Sequence, residues 1–268
     1  MQISSTYIKQ AYSLAWRFFS KNKLVSFLAM AVIFGLYILS VIPLLGFFIA
    51  IVAGIALFSV QTFVAKTLIS SNSDEEYDEK VQGAVLKDLL TRHLNVASGG
   101  FLGFFVIEII MIVIMFTLFV LSVGLESLMQ LSDQTMTPEQ QMQIFQSMGG
   151  IGLIFVLVAM FLAYIYPLAL AKVYASEDFG EAFAAIFTMF SPTVWKASLN
   201  VQYFLMITML HVTAIGMFIL MIISAMTIVL MPIALFMAYL FILYATTTAV
   251  LAREIVFDEV ETVENPGA

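Results

Sequence analysis

The chain has 268 residues, of which 62% are hydrophobic and 11% charged, against roughly 45–50% and about 25% in soluble globular domains. Too few polar side chains exist to cover a water-facing surface, which excludes a soluble globular fold and makes lipid the expected solvent. A net charge of −7 with no cysteine excludes a protein built to grip a nucleic-acid backbone, a disulfide framework and a thiolate metal site.

In chain order, the N-terminal segment comes first. Ile3, Tyr7, Ala11, Leu14, Ala15, Phe18 and Phe19 recur at helical spacing, with Lys9, Gln10, Ser13 and Arg17 opposite. This predicts an amphipathic helix in the headgroup plane, anchored by Trp16 and Arg17. Residues 24–65 then hold no charge at all. At 1.5 Å per residue they would make about 63 Å of helix, enough to cross a hydrocarbon core of roughly 30 Å twice. Pro43 and Gly46 mark the break, which gives spans 24–42 and 46–65. The first apolar run is longer than a signal-peptide core and no cleavage site follows, so it is read as retained.

Val81, Val85, Leu86, Leu89, Leu90 and Leu94 form a second apolar stripe, with Lys87, Asp88, Thr91 and Arg92 on its polar side. Spans 101–123 and 150–171 follow. Between them, Thr137-Pro138-Glu139-Gln140 has the signature of a helix start. A short outer helix is expected from Pro138 to about Met148, ended by Gly149-Gly150. A third connector places Phe183, Ile186, Phe187 and Phe190 before Ser191-Pro192 and the anchor pair Trp195 and Lys196. The stretch 201–251 divides near Ser224–Thr227 into spans 201–223 and 228–250. Residues 254–268 form an acidic tail, read as disordered and cytoplasmic.

The expected fold is therefore an all-α integral membrane protein with one polytopic domain over 1–253. Six transmembrane helices form three hairpins, each preceded by a cytoplasmic interfacial amphipathic helix. All 11 basic residues fall on one side of this threading, which makes both termini cytoplasmic. The expected location is the cell (inner) membrane.

The connectors also read as an internal repeat. The return helices end alike in Ala65-Lys66, Ala171-Lys172 and Ala252-Arg253, and Leu94-Asn95 opens its span as Leu199-Asn200 does, with Asn22 in the corresponding place. The acidic-aromatic entries Asp74-Glu75-Glu76-Tyr77 and Glu177-Asp178-Phe179 correspond too. Positive-inside sorting and aromatic belts could produce such similarities without a repeat. The order Asn22, Ile42-Pro43-Leu44-Leu45-Gly46, Ala65-Lys66, an acidic loop, Phe179-Gly180-Glu181-Ala182-Phe183 and Leu199-Asn200 resembles a loose group of prokaryotic six-span membrane families. That group is similar to the membrane domain attached to some glycerophosphodiester phosphodiesterases. The resemblance covers most of residues 10–255 and implies a six-span helical fold in the plasma membrane. It carries over no catalytic residue, since the soluble phosphodiesterase domain has no counterpart here.

Soluble-enzyme motifs are missing: there is no phosphate-binding glycine loop, HExxH or GxSxG. Cofactors and metals are not expected, and the chain reads as non-enzymatic. Glu108 is the only acidic or basic residue inside any span, and His211 lies within another. Two readings stand side by side: a proton-responsive pair lining a polar cavity, or two groups satisfied separately in a packed bundle. Gly46, Ala50 and Gly54, with Gly99 and Gly103, place small residues at helical spacing for close helix approach. Pro167 and Pro232 are candidate kinks. The hydroxyls of Thr246, Thr247 and Thr248 can bond to the preceding turn.

The leading functional expectation is a membrane protein that organises or senses the inner leaflet, or docks a membrane partner. Its expected partners are membrane lipid, another membrane protein or a second copy of the chain, and no nucleic acid. The alternative is a small-molecule or lipid transporter using Glu108 and His211.

Overall fold

The computed structural model describes residues 2–123, 138–225 and 230–258, and every regular element among them is helical. Helix α1 (Gln2–Lys21) meets α2 (Lys23–Leu39) at 99°. The corner is Asn22, whose side-chain oxygen accepts the Val25 N–H and caps α2. That capping bond lets the chain leave one helix and enter the next at a right angle without an orphaned donor. A tight turn leads to α3 (Gly46–Ile69). There the Gly46 N–H reaches the Ile42 carbonyl at 2.7 Å, and a Cβ on Gly46 would stand 2.0 Å from the Ser40 carbonyl oxygen. Only glycine fits.

Next come α4 (Asp74–Gln82), α5 (Leu86–Thr91), α6 (Leu94–Val123) and α7 (Pro138–Ala175). After α8 (Phe179–Ile186) and a 3-10 turn at Phe187–Phe190 come α9 (Pro192–Ala197), α10 (Val201–Ala225) and α11 (Met231–Arg253), which runs into a π-helical turn at Glu254–Asp258. Five of these helices, α3, α6, α7, α10 and α11, are long and apolar enough to cross a membrane. The bent pair α1–α2, taken together, raises the number to six.

Several expected boundaries move. The stripe over 81–94 is spread over three helices, α4, α5 and the start of α6, because the chain breaks at Gly83–Val85, restarts with the Asp88 carboxylate accepting the Val85 N–H, and turns again at Arg92–His93. Helix α6 begins at Leu94, seven residues before the expected span. Helix α7 runs through Gly149-Gly150 without stopping, so the expected outer helix and fourth span are one element. Two adjacent glycines weaken a helix by propensity but do not end one when no cap competes. Pro167 lies inside α7, whereas Pro232 sits in the first turn of α11, where a proline breaks no bond. Residues 124–137 of the outer segment and 259–268 of the tail lie outside the described residues.

By backbone contacts the chain divides into two units, Met1–Gly103 with Ile165–Ala268, and Phe104–Tyr164. In the first unit α11 is the hub: it packs against α1, α2, α3 and α10. The core gathers along the second halves of α3 and α11 and the last turns of α7, where Val60, Val64, Ala65, Ile165, Leu168, Val173, Ala249 and Ala252 are sealed off. In lipid the hydrophobic effect supplies little drive for helices to associate, so close approach and polar stitches carry the packing. Gly54 meets the Phe101 ring, which would stand 2.1 Å from a Cβ. Gly99 and Gly103 bring α6 onto α8, with the Phe179 and Phe183 carbonyls 2.3 and 2.8 Å from ideal Cβ positions. Thr247 donates across to the Ala11 carbonyl of α1 at 2.9 Å, and Tyr12 stacks on Tyr244 with ring centroids 3.9 Å apart.

The second unit presents apolar side chains outward, among them Ile112, Phe116, Leu121, Leu153, Met160 and Phe161. Such a surface suits hydrocarbon and would aggregate in water.

Gly99→Val should push α8 off α6 and lower stability by about 1–3 kcal/mol, the usual scale of overpacking. Gly149→Ala is the control: a Cβ there meets no atom within 4 Å, so thermal unfolding in detergent should be unchanged or slightly later. Leu44 is the one described non-glycine residue with positive φ, at 67°. Replacing it with glycine should raise stability by about 1 kcal/mol in the same assay.

Candidate functional site

The first unit gathers charge at the end where α1 turns into α2. On α1, Arg17 reaches two carboxylates of α4. It pairs with Asp74, and its Nη2 lies 3.0 Å from Asp78 Oδ1. Lys21 reaches the other oxygen of Asp78 at 2.7 Å. These pairs hold α4 against α1, over a buried Tyr77 whose hydroxyl faces the Leu14 carbonyl at 3.5 Å. The Lys21 hydrogen bond, followed by those from Arg17, keeps the Asp78 carboxyl below its ordinary range. Asn22 completes the joint by donating from Nδ2 to the Val81 and Ala84 carbonyls at 2.9 and 2.8 Å.

The same local devices recur. Ser73 and Asp178 each cap a helix by accepting the N–H three residues on, from Glu76 and Glu181. Those two glutamates reach back to the N–H groups of Asn72 and Glu177, at 2.8 and 2.9 Å. Asn200 accepts the Gln202 and Tyr203 N–H groups at the start of α10, as Asn22 caps α2. Asn95 does not follow: it lies inside the first turn of α6 and is exposed.

Three helix ends meet beside this joint. Lys66 donates to the Ser176 carbonyl at the end of α7, at 2.7 Å. Lys172 lies 5.1 Å from the centre of the Phe257 ring beyond α11. Lys80 donates to the Ser70 carbonyl at the end of α3 and pairs with Glu76. Between these ends opens a cleft of about 580 Å³, lined by Lys66, Lys80, Arg92, His93, Glu177 and Arg253, with Phe63 and Tyr174 among its apolar walls. Burial pushes the His93 imidazole below its ordinary value, and the charges of Lys66 and Arg92 push it further, against Glu177.

The residues singled out from sequence are placed as follows. Trp16 is 54% exposed. Arg17, expected as an interfacial anchor on the polar side of α1, pairs with Asp74 and Asp78. Trp195 donates its ring N–H to the Met189 carbonyl at 2.7 Å, and Lys196 is exposed. His211 belongs to the first unit, and its Nδ1 sits 2.8 Å from the Ile207 carbonyl one turn back on α10. Glu108 belongs to the second unit and is exposed beside Ile109 and Ile110. Counted from the start of α6 at Leu94, it lies about 21 Å along that helix. Thr246 and Thr247 bond to the preceding turn, at the Ile242 and Leu243 carbonyls.

The cleft was hidden from sequence reasoning. Its cations are visible one by one as basic residues near span ends, but they come from separate segments that only the fold assembles. Comparison with known protein families, curated proteins and solved structures finds no match to the chain.

A carboxylate with a lowered folded value contributes stability that is present above its unfolded value of about 3.9 and is lost as pH falls through the folded one. The α1–α4 joint should therefore loosen as pH drops below about 4. Asp78→Asn should remove that acid step and lower stability at neutral pH by about 1 kcal/mol or less, the scale of a partly exposed pair. Thermal unfolding followed against pH for both chains checks it.

Proposed function

We propose that the protein is a non-enzymatic multi-pass protein of the cell membrane, with both termini cytoplasmic, that organises or senses the inner leaflet through its cationic end. In this reading the six spans form three hairpins. Helix α1, the α4–α5 pair and the α8–α9 segment are the interfacial elements that precede them. One observation carries it: the second and third connectors set exposed apolar side chains beside exposed cations, Val85 near Lys87, and Phe190 and Leu199 on either side of Lys196. That mixture suits the boundary between headgroups and acyl chains, where apolar surface goes down and ammonium groups stay with phosphates. The near-perpendicular corner at Asn22 supports an α1 that lies flat beside an upright α2. The paired capping boxes at Ser73 and Asp178 support a repeated unit. The likeness to the six-span group rests on its sequence motifs alone.

The competing reading, a small-molecule or lipid transporter, draws on Glu108, a carboxyl exposed among aliphatic neighbours on α6. Proton-coupled flux in proteoliposomes that disappears in Glu108→Gln would replace the leaflet reading with it.

Trp16 and Trp195 are the only tryptophans, so Trp195→Phe isolates the first as a reporter. In bilayers its fluorescence should be quenched more by lipids brominated near the headgroup than by those brominated deep in the chain, and little by aqueous iodide. Strong iodide quenching without lipid quenching would place α1 in water and overturn the reading. The absence of cysteine allows single reporters at Leu44 and Ser73 without further changes. Leu44→Cys should label from outside intact cells, and Ser73→Cys only after permeabilisation.

A further inference from the structure

The cleft between the ends of α3, α7 and α11 carries more charge than its surroundings balance. Lys80 is paired with Glu76, and Lys66 spends one donor on the Ser176 carbonyl. An ammonium group has three donors, so Lys66 keeps donors to spare, whereas Lys80 spends its own on Glu76 and on the Ser70 carbonyl and hydroxyl. Among the described residues no carboxylate lies within ion-pair distance of Arg92 or Arg253. The only acidic side chain in the lining is the exposed Glu177. Cations gathered around one cavity repel each other; the carboxyl-terminal ends of α3, α7 and α11 offset part of that repulsion, and the two arginines add to it without a carboxylate of their own. We infer that this cleft is a binding site for a phosphate group, held by Arg92, Arg253 and Lys66, with His93 beside them.

The chemistry favours phosphate over a simple carboxylate. Two guanidinium groups offer paired donors that match phosphate oxygens, and an ammonium adds a point charge. The volume of about 580 Å³ falls in the range of small-molecule sites, roughly 300–1,000 Å³. It leaves room for a polar group attached to the phosphate, against the Phe63 and Tyr174 rings. A phospholipid headgroup and a soluble phosphate ester share this chemistry. The proposal deepens the leaflet reading and rests on it in placing this end in the headgroup layer.

Two arms test it, both with the full chain. Purified protein in a neutral detergent is titrated with glycerol 3-phosphate, with choline as the cationic control, and binding is followed by thermal shift. In parallel, protein in nanodiscs of phosphatidylcholine with or without phosphatidylglycerol is released and examined by native mass spectrometry for retained lipid. Arg92→Gln with Arg253→Gln should weaken binding at least tenfold in whichever arm shows it. Lys9→Gln with Lys23→Gln, which removes two exposed charges outside the cleft lining, should leave it unchanged. A response confined to the detergent arm identifies a soluble ester, and one confined to nanodiscs a headgroup; both support the site. Equal losses in the two double variants would overturn the site while leaving the leaflet reading standing, since diffuse surface charge would then hold the lipid. No saturable response in either arm overturns the site outright, and the Trp16 quenching result then decides the leaflet reading separately.

Discussion

A charged side chain is costly in hydrocarbon, and that constraint arranges the first unit. Arg17, Lys21, Lys66, Lys80, Arg92 and Arg253 belong to separate stretches of chain, yet they meet at one end around α4 and the cleft. Their convergence brings the ends of α3, α7 and α11 together. It also explains the small buried residues just before each terminal cation, Ala65, Ala171 and Ala252, all essentially inaccessible. Helices that must deliver long polar side chains to a common point need slim flanks to come close. The charge requirement and the packing requirement select neighbouring positions.

Away from that end, the helices are joined by contacts that do not depend on excluding water. Gly54, Gly99 and Gly103 let rings and backbone approach where any Cβ would collide. Thr247 ties α11 to α1 through a carbonyl of another helix. The N-cap at Asn22 does three jobs with one amide: it starts α2, sets the corner, and closes the carbonyls at the end of α4. The amide is short and bears both donor and acceptor. An aspartate could cap the helix but could not donate to those carbonyls.

Much of the helical framework was legible because lipid demands long charge-free runs, and the spans at 46–65 and 201–223 fall inside α3 and α10. Asn22, Asn95 and Asn200 stood out in the sequence only as corresponding positions where spans open; the capping role of Asn22 and Asn200, which Asn95 does not share, came from the structure. The break at Gly83–Val85 was not legible, since the apolar residues keep helical spacing across it although only Val81 and Leu89 of the stripe are buried. Gly149-Gly150 misled in the other direction, because glycine is a helix end only when the chain has somewhere else to go. The site fared worst. Glu108 and His211 stood out as the rare polar groups in apolar sequence, but rarity marks a cost and does not assign a partner. The cleft residues looked ordinary, because basic side chains at span ends have a sorting role that conceals any second one.

In the proposed threefold repeat, the terminal cations would lock one unit to the next. Lys66, at the end of the first return helix, bonds to the end of the second at Ser176, and Lys172 of the second lies over Phe257 beyond the third. Arg253 of the third lines the cleft together with Phe63, Thr67 and Ser70 of the first. Each unit thus sends its cation towards the next, and the last returns to the first. In the proposed threefold repeat this is a closed cycle, and a closed cycle of cations has a middle. Two of its three links are satisfied by protein atoms, a carbonyl and an aromatic face. The third ends in a guanidinium with no carboxylate beside it among the described residues. If the units arose alike, the unfilled link is where the repeat has been left open for something other than itself, and an anion between Arg253 and Arg92 would close the ring.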